Sequence, residues 1–247
     1  MTEIRNNTAV VFHNAQLYES KAGEILSITW YKTDKPLTNI NVTRPIKTSY
    51  LKEQISHALF AFVPLAKKVR LPLETFLYKT TCVTMRNQEM SATVSMLEQL
   101  VKNNTTEILQ EYFVPLHTLD TFVALLRNTI RDYGINMLNI SIRYVPQDAT
   151  TLLAYAPQDM FSLVLYINIP TDKDALQNAQ EWTRLLIDGA LNLGGTYYLP
   201  YLRFATQAQF EEAYPQQMAL KEIKEQYDPE NKFLNCFTAH YLMNVAC

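Results

Sequence analysis

Apolar and polar residues alternate most cleanly from Asn136 to Tyr144. There Leu138, Ile140 and Ile142 fall on one side of an extended chain, and Asn139, Ser141 and Arg143 on the other. Two further runs, Thr106 to Val114 and Phe161 to Ile169, are rich in the β-branched and aromatic residues that suit a pleated surface. Between them the period changes to that of a helix. After Thr118, a capping residue type, Leu119, Phe122, Val123, Leu126 and Ile130 make one apolar stripe, and Gly134 follows where a C-terminal glycine is expected. Thr171 with Asp174 opens a second helix, whose stripe holds Leu176, Ala179, Leu186 and Ala190 and which closes at Gly194-Gly195.

The order strand, helix, strand, strand, helix, strand predicts an α+β fold. Its core is a βαββαβ (ferredoxin-like) unit, an antiparallel sheet with both helices packed on one face. The N-terminal part predicts strands at Ala9 to Phe12 and Ile25 to Tyr31, then a helix after Ser49 on Leu51, Ile55, Leu59 and Phe62. Pro64 and Pro72 are expected to break the chain beyond that helix, with a short helix over Leu73 to Lys79, and Cys82 to Val94 fits strand or loop equally. In the tail, Pro215 begins a helix through Leu220 and Ile223 that stops before Asp228-Pro229.

Composition narrows the function classes. The chain has 247 residues, 19% charged, with a net charge of −2 and no basic stripe, which argues against nucleic acid. No apolar run approaches the roughly 18 residues that span a bilayer, and the first residues lack the order of a signal peptide. Cys82, Cys236 and Cys247, scattered and odd in number, suit reduced thiols and a cytoplasmic setting. The four histidines show no ligand spacing, so no metal site is expected, and Asn103-Asn104-Thr105 matches a glycosylation triplet of a kind common by chance. Only five glycines are present: Gly23, Gly134, Gly189, Gly194 and Gly195. A loop that cradles a pyrophosphate needs glycine where backbone N–H groups approach it, so no such loop is expected.

The last fifty residues carry a resemblance. Gly194-Gly195-Thr196-Tyr197-Tyr198-Leu199-Pro200-Tyr201, Ala213-Tyr214-Pro215, Tyr227-Asp228-Pro229 and Lys232-Phe233-Leu234-Asn235 resemble the C-terminus of FAD-linked oxidases of the vanillyl-alcohol-oxidase type. The similarity is to the branch of sugar-lactone oxidases and decaprenylphosphoryl-ribose oxidase. Upstream, Leu109-Gln110-Glu111-Tyr112-Phe113-Val114-Pro115, Leu138-Asn139-Ile140-Ser141-Ile142-Arg143 and Trp182-Thr183-Arg184-Leu185-Leu186-Ile187-Asp188 resemble parts of its cap domain. Met85 and Gln88 stand where that branch leads one to expect aromatic residues, and Phe204 where it leads one to expect histidine.

The resemblance implies a single substrate-binding (cap) domain over residues 1–247, with 194–247 returning to pack on an FAD-binding domain that this chain lacks. That domain would be supplied in cis or in trans, FAD would belong to the full enzyme, and this chain alone would be inactive. Self-association into a homodimer through the uncovered FAD-facing surface is the other partner expectation.

The resemblance places Tyr198 and Tyr201 at the reactive edge of the flavin, as catalytic and cofactor-contacting residues. Relatives carry there a polar pair that orients the C–H bond and helps remove the hydroxyl proton. A phenol, with a reference pKa of about 10, is a poor base, and packing in an aromatic core is the plain reading of both. The resemblance also turns Gln110 and Tyr112 toward substrate, and adds Asn235 as a cofactor contact. Asn139 and Arg143 share the polar side of their strand, and Tyr166 has the parity of Ser162 and Val164 on the next. These are candidate substrate-binding residues, with Arg143 gripping an anionic or polyhydroxyl group; a merely solvated sheet face is the alternative. Glu111 has the parity of Leu109 and Phe113 and is expected to be buried in an ion pair with Arg86, Arg143 or Arg184.

The function so implied is the substrate-binding domain of an FAD-dependent oxidoreductase. It oxidises an alcohol, a sugar, sugar lactone or polyol, by hydride transfer to flavin N5. A non-catalytic ligand- or protein-binding module on the same fold is the alternative, and a ferredoxin-like regulatory domain a third.

Overall fold

The structure is a computed structural model that describes residues 4, 6–18, 24–45, 49–78, 82–92, 104–243 and 245. The chain forms two compact units, Met1–Thr105 and Thr106–Cys247.

In the first unit, β1 (Val10–Leu17) and β2 (Ile25–Tyr31) form an antiparallel hairpin, with Phe12 opposite Trp30 and His13 opposite Thr29. Two helices come next, α1 (Leu51–Phe62) and α2 (Pro64–Tyr78). Pro64 starts a helix instead of breaking one, because the first helical position has no intrahelical use for an N–H. Pro72 lies within the same helix, at the cost of one backbone hydrogen bond. Arg70 pairs with Glu74 one turn on, at 2.6 Å, and the Tyr18 hydroxyl donates to the same carboxylate. The ambiguous stretch after Cys82 contains one short helix, α3 (Arg86–Met90). The Arg44 guanidinium reaches the last turn of α3, donating to the Gln88 carbonyl at 3.2 Å.

The second unit contains the predicted core. It runs β3 (Thr105–Pro115), α4 (Leu119–Tyr133), β4 (Asn136–Val145), β5 (Met160–Pro170), α5 (Lys173–Asn192) and β6 (Thr196–Tyr197). The strands lie in the order β4-β5-β3-β6, which is the ferredoxin-like order for a βαββαβ chain. β4 and β5 pair antiparallel, as do β3 and β6. On α4 the buried stripe is Phe122, Val123, Leu126, Thr129 and Ile130. On α5 it is Ala179, Trp182, Thr183, Leu186, Ile187 and Ala190, while Leu176, expected in the stripe, is 40% exposed. The helices meet closely where Gly189 lies against Leu125. Burying a Leu- or Phe-sized side chain stabilises by about 1.5–3 kcal/mol, and the sheet and helices bury Phe122, Leu126, Leu163, Leu165 and Ile167 almost completely.

Caps differ in detail from the sequence reading. Thr118 makes no cap to α4 and donates instead to the Pro115 carbonyl at 2.9 Å. Asp172, not Thr171, caps α5, accepting from the Ala175 N–H at 2.9 Å. Gly134 does take the left-handed conformation at the end of α4, with φ +61°.

After β6 come α6 (Gln207–Ala213), α7 (Gln217–Tyr227) and a π-helical turn over Thr238–Leu242. The sequence reading does not foresee α6, yet Thr206 and Gln209 form a complete capping box at its start. The tail helix begins at Gln217 rather than Pro215. Cys236 is engaged in a disulfide while Cys82 is an exposed free thiol, so the cysteines are not all reduced as expected. No described helix is long and apolar enough to cross a membrane.

Candidate active site on the sheet face away from the helices

The two faces of β3 are distinguished by what they touch. The Tyr112 ring lies 5.5 Å from that of Phe122 on α4, and its hydroxyl neighbours Thr183 on α5. By alternation Ile108, Gln110 and Val114 share that helix-facing side. Gln110 and Tyr112 are 3% and 0% exposed. Burial pushes the Tyr112 phenol far above its ordinary value. The expectation that these two face a substrate is therefore corrected: they belong to the layer between sheet and helices.

Glu107, Leu109, Glu111 and Phe113 take the opposite side. Across to β5, Ser162 donates to Glu111 and Tyr166 donates to Glu107. As β3 advances by four residues its partner on β5 recedes by four, so this pair is antiparallel too. The next pairing sets Arg143 of β4 opposite Ser162, Ser141 opposite Val164, and Asn139 opposite Tyr166. Asn139, Arg143 and Tyr166 thus lie on one face, as the alternation predicted. A register shift between Met137 and Asn139 takes Leu138 out of the simple alternation.

Beyond β6 the chain brings Tyr198 to this same face. Its N–H donates to the Glu111 carbonyl at 2.9 Å, extending the β3–β6 pairing by one residue. The Tyr198 ring meets Phe113 at 6.2 Å, Tyr155 at 5.6 Å and Tyr201 at 5.2 Å, edge to face in each case. Tyr155 itself stacks on Phe113 at 4.8 Å and is fixed by its carbonyl, which accepts from the Thr196 hydroxyl. The Tyr214 hydroxyl donates to the Tyr197 carbonyl, holding the end of α6 against β6. Tyr198 and Tyr201 remain partly exposed.

The electrostatics tie the two ends of the row together. Burial, the Glu111 charge and the nearby Tyr198 raise the Tyr201 phenol above its ordinary value, while the Arg143 guanidinium opposes them. Burial, then the hydrogen bond to Glu107 and its charge, raise the Tyr166 phenol as well. Arg143, Ser162, Glu111, Tyr198 and Tyr201 therefore form one polar and aromatic row across the sheet.

Glu111 is partly buried, but the partner the structure gives it is Ser162, not the expected arginine ion pair. Arg184 donates to the Phe204 carbonyl at 2.7 Å instead. Asn235, expected to touch cofactor, uses its carboxamide oxygen locally, accepting from the Thr238 N–H at 2.9 Å and hydroxyl at 3.0 Å. Ser162 and Tyr155, which the sequence reading did not name as candidates, also lie against this face, Ser162 on Glu111 and Tyr155 on the Tyr198 ring. A cavity of about 490 Å³ between residues 147–157, Gly194–Thr196 and the α6–α7 junction holds none of the row. Among the described residues no three His, Cys, Asp or Glu side chains converge as a metal site would require.

The family profile of D-arabinono-1,4-lactone oxidase matches residues 16–244. The chain belongs to that family. No individual curated protein matches it. Membership makes this lactone-oxidase domain the C-terminal part of an FAD-linked oxidase, in agreement with the α+β sheet found.

The described residues can be tested against FAD. Gly134 and Gly194, with positive φ, end helices; Gly189 admits Leu125; Gly195 admits the backbone of β3. Each of these glycines has a packing or turn duty, and none is left to open a pyrophosphate cradle; Gly23 lies outside the described residues. The aromatic and polar row, in contrast, suits one face of a planar ring with polar edges. Among the described residues, the row suits the ring end of such a cofactor, and no glycine is free to open a cradle for its phosphate end.

Proposed function

We propose that the row from Arg143 to Tyr201 covers the ring of an FAD held by other polypeptide, and that an alcohol is oxidised between them. The substrate class is a sugar lactone, sugar or polyol. The observation that carries this reading is the juxtaposition of Tyr198 and Tyr201 with Arg143, Ser162 and Glu111 on one face, in a chain of the lactone-oxidase family.

When bound, the flavin takes two electrons from the substrate C–H bond as hydride. The chain's own residues bind and orient. Arg143, exposed at the β4 end of the row, donates to ring oxygens or hydroxyls. Tyr198 and Tyr201 pack as an aromatic wall and direct their hydroxyls to the reacting alcohol. Asn139 and Tyr166, further along the same face, contact the distal part of a longer substrate.

Residues 194–247 form the return to the FAD-binding domain in this reading. Exposed Met218, Ile223, Tyr227, Phe233 and Leu234 support it, since so much apolar surface is suited to being covered. The isolated chain then retains no FAD and turns over no substrate.

The test is reconstitution. This chain, supplied with FAD and with an FAD-binding domain in cis or in trans, is expected to become yellow and to bleach anaerobically on adding a lactone or polyol. A coloured complex that no lactone, sugar or polyol bleaches rules the reading out.

A further inference from the structure

We infer that Glu111 is the group that accepts the proton of the substrate hydroxyl. This rests on the flavin-covering reading above and names the base that reading lacks. An alcohol losing hydride must also lose its O–H proton, and the candidates on this face can be taken in turn. None of Asn139, Ser141, Arg143, Ser162, Tyr166, Tyr198 and Tyr201 is a histidine or lysine. Arg143 stays charged at any working pH. Tyr201 is held protonated by its burial and by the Glu111 charge beside it.

Glu111 is the carboxylate in the row. The Ser162 hydroxyl, on a residue with no solvent exposure, fixes one of its oxygens, Oε1. Oε2 makes no hydrogen bond among the described residues and is the oxygen available to a ligand. The charged and titratable groups around it are Arg143 on β4, Tyr198 and Tyr201 beyond β6, and Tyr214, whose phenol also feels the Glu111 charge. On its own strand Glu107 lies about 13 Å along at four residues' rise and is engaged with Tyr166.

The step balances. In this reading the substrate C–H pair would leave as hydride, with an oxidised flavin as the two-electron acceptor. The O–H proton passes to Glu111 Oε2, and the C–O bond becomes a carbonyl. Tyr201, protonated, donates to the substrate oxygen from the other side.

The experiment compares wild type, Glu111→Gln and Glu111→Asp in two settings. In the flavin-loaded enzyme, Glu111→Gln is expected to slow the reductive half-reaction about a hundredfold or more, the range of general-base catalysis, and to remove the acid limb of its pH profile. Glu111→Asp restores that limb at a reduced rate, and serves also if the glutamine variant folds poorly. In the chain without flavin, Glu111→Gln lets the Tyr201 phenol titrate at lower pH, read by absorbance against a Tyr201→Phe background.

A glutamine variant that keeps the acid limb overturns the inference, whether or not its rate falls. So does a Tyr201 titration that ignores the substitution. A flavin-loaded wild type that oxidises no lactone, sugar or polyol overturns the flavin reading and this inference with it. An active wild type with an indifferent Glu111→Gln variant overturns this inference alone.

Discussion

The Ser162 hydroxyl donates a hydrogen bond to Glu111 across the β5–β3 pair, and Ser162 itself has no exposed surface. A serine so placed cannot contact substrate; what it can do is hold one carboxylate oxygen still.

Ser162→Ala removes that restraint without leaving a hole larger than one oxygen. The expected result is a turnover reduced about tenfold, with folding stability lowered by about 1.5–3 kcal/mol, the range for a hydrogen bond to a charged group. Urea unfolding separates the two effects from steady-state rates. An unchanged turnover would show that Glu111 needs no such anchor.

Tyr198→Phe and Tyr201→Phe keep the rings that pack on Phe113 and Tyr155 and delete only hydroxyls. The double variant is therefore expected to fold as the parent does. Its reductive half-reaction is expected to slow at least tenfold, because two donors to the reacting oxygen are gone. Stopped-flow flavin bleaching measures this directly. Full activity in the double variant would return both tyrosines to a packing role.

The sequence made the architecture legible because the two apolar periods are distinct: twofold in β4 and β5, 3.6-fold in α4 and α5. It misled on β3, where apolar residues occur on both sides. Ile108, Tyr112 and Val114 face the helices with a glutamine among them; Leu109 and Phe113 face away with two glutamates among them. The deciding signal was the shared parity of Glu107 and Glu111. Two carboxylates cannot enter a dry layer under helices without partners, whereas one neutral Gln110 can be accommodated there. Helix α6 was missed because it is short, although Thr206 and Gln209 are separated by the capping-box interval. Which glutamate meets which β5 residue could not be read at all, since pairing register depends on contacts distant in sequence.

Alkaline pH is expected to destabilise the second unit. Tyr112 and Tyr214 are buried, and burial raises both phenols far above their ordinary value. A raised folded-state value means that stability is full below the unfolded pKa of about 10 and is lost as pH rises beyond it. Each such group steepens the loss by up to about 1.4 kcal/mol per pH unit. Unfolding free energies at pH 9, 10 and 11 test this, and Tyr112→Phe is expected to make the decline shallower by one proton. Identical slopes in parent and variant would show that Tyr112 ionises in the folded chain.

Gly195 and Gly134 predict opposite kinds of cost for the same substitution. A Cβ on Gly195 would lie 2.1 Å from the Phe113 carbonyl oxygen and 2.8 Å from that of Ala190, and both are backbone atoms. Neither can turn aside, so Gly195→Ala must move β6 off β3, and Tyr198 with it. A Cβ on Gly134 meets nothing within 4 Å, but the residue sits at φ +61°. Gly134→Ala is thus expected to cost about 1–2 kcal/mol, the penalty of left-handed backbone, with activity unchanged. Gly195→Ala is expected to cost about 3 kcal/mol, the upper part of the overpacking range, and to remove most activity even where the protein is fully folded. Measuring both by urea unfolding and by flavin bleaching decides the matter. Equal behaviour of the two variants would mean that the close approach of β6 to β3 does not hold Tyr198 in place.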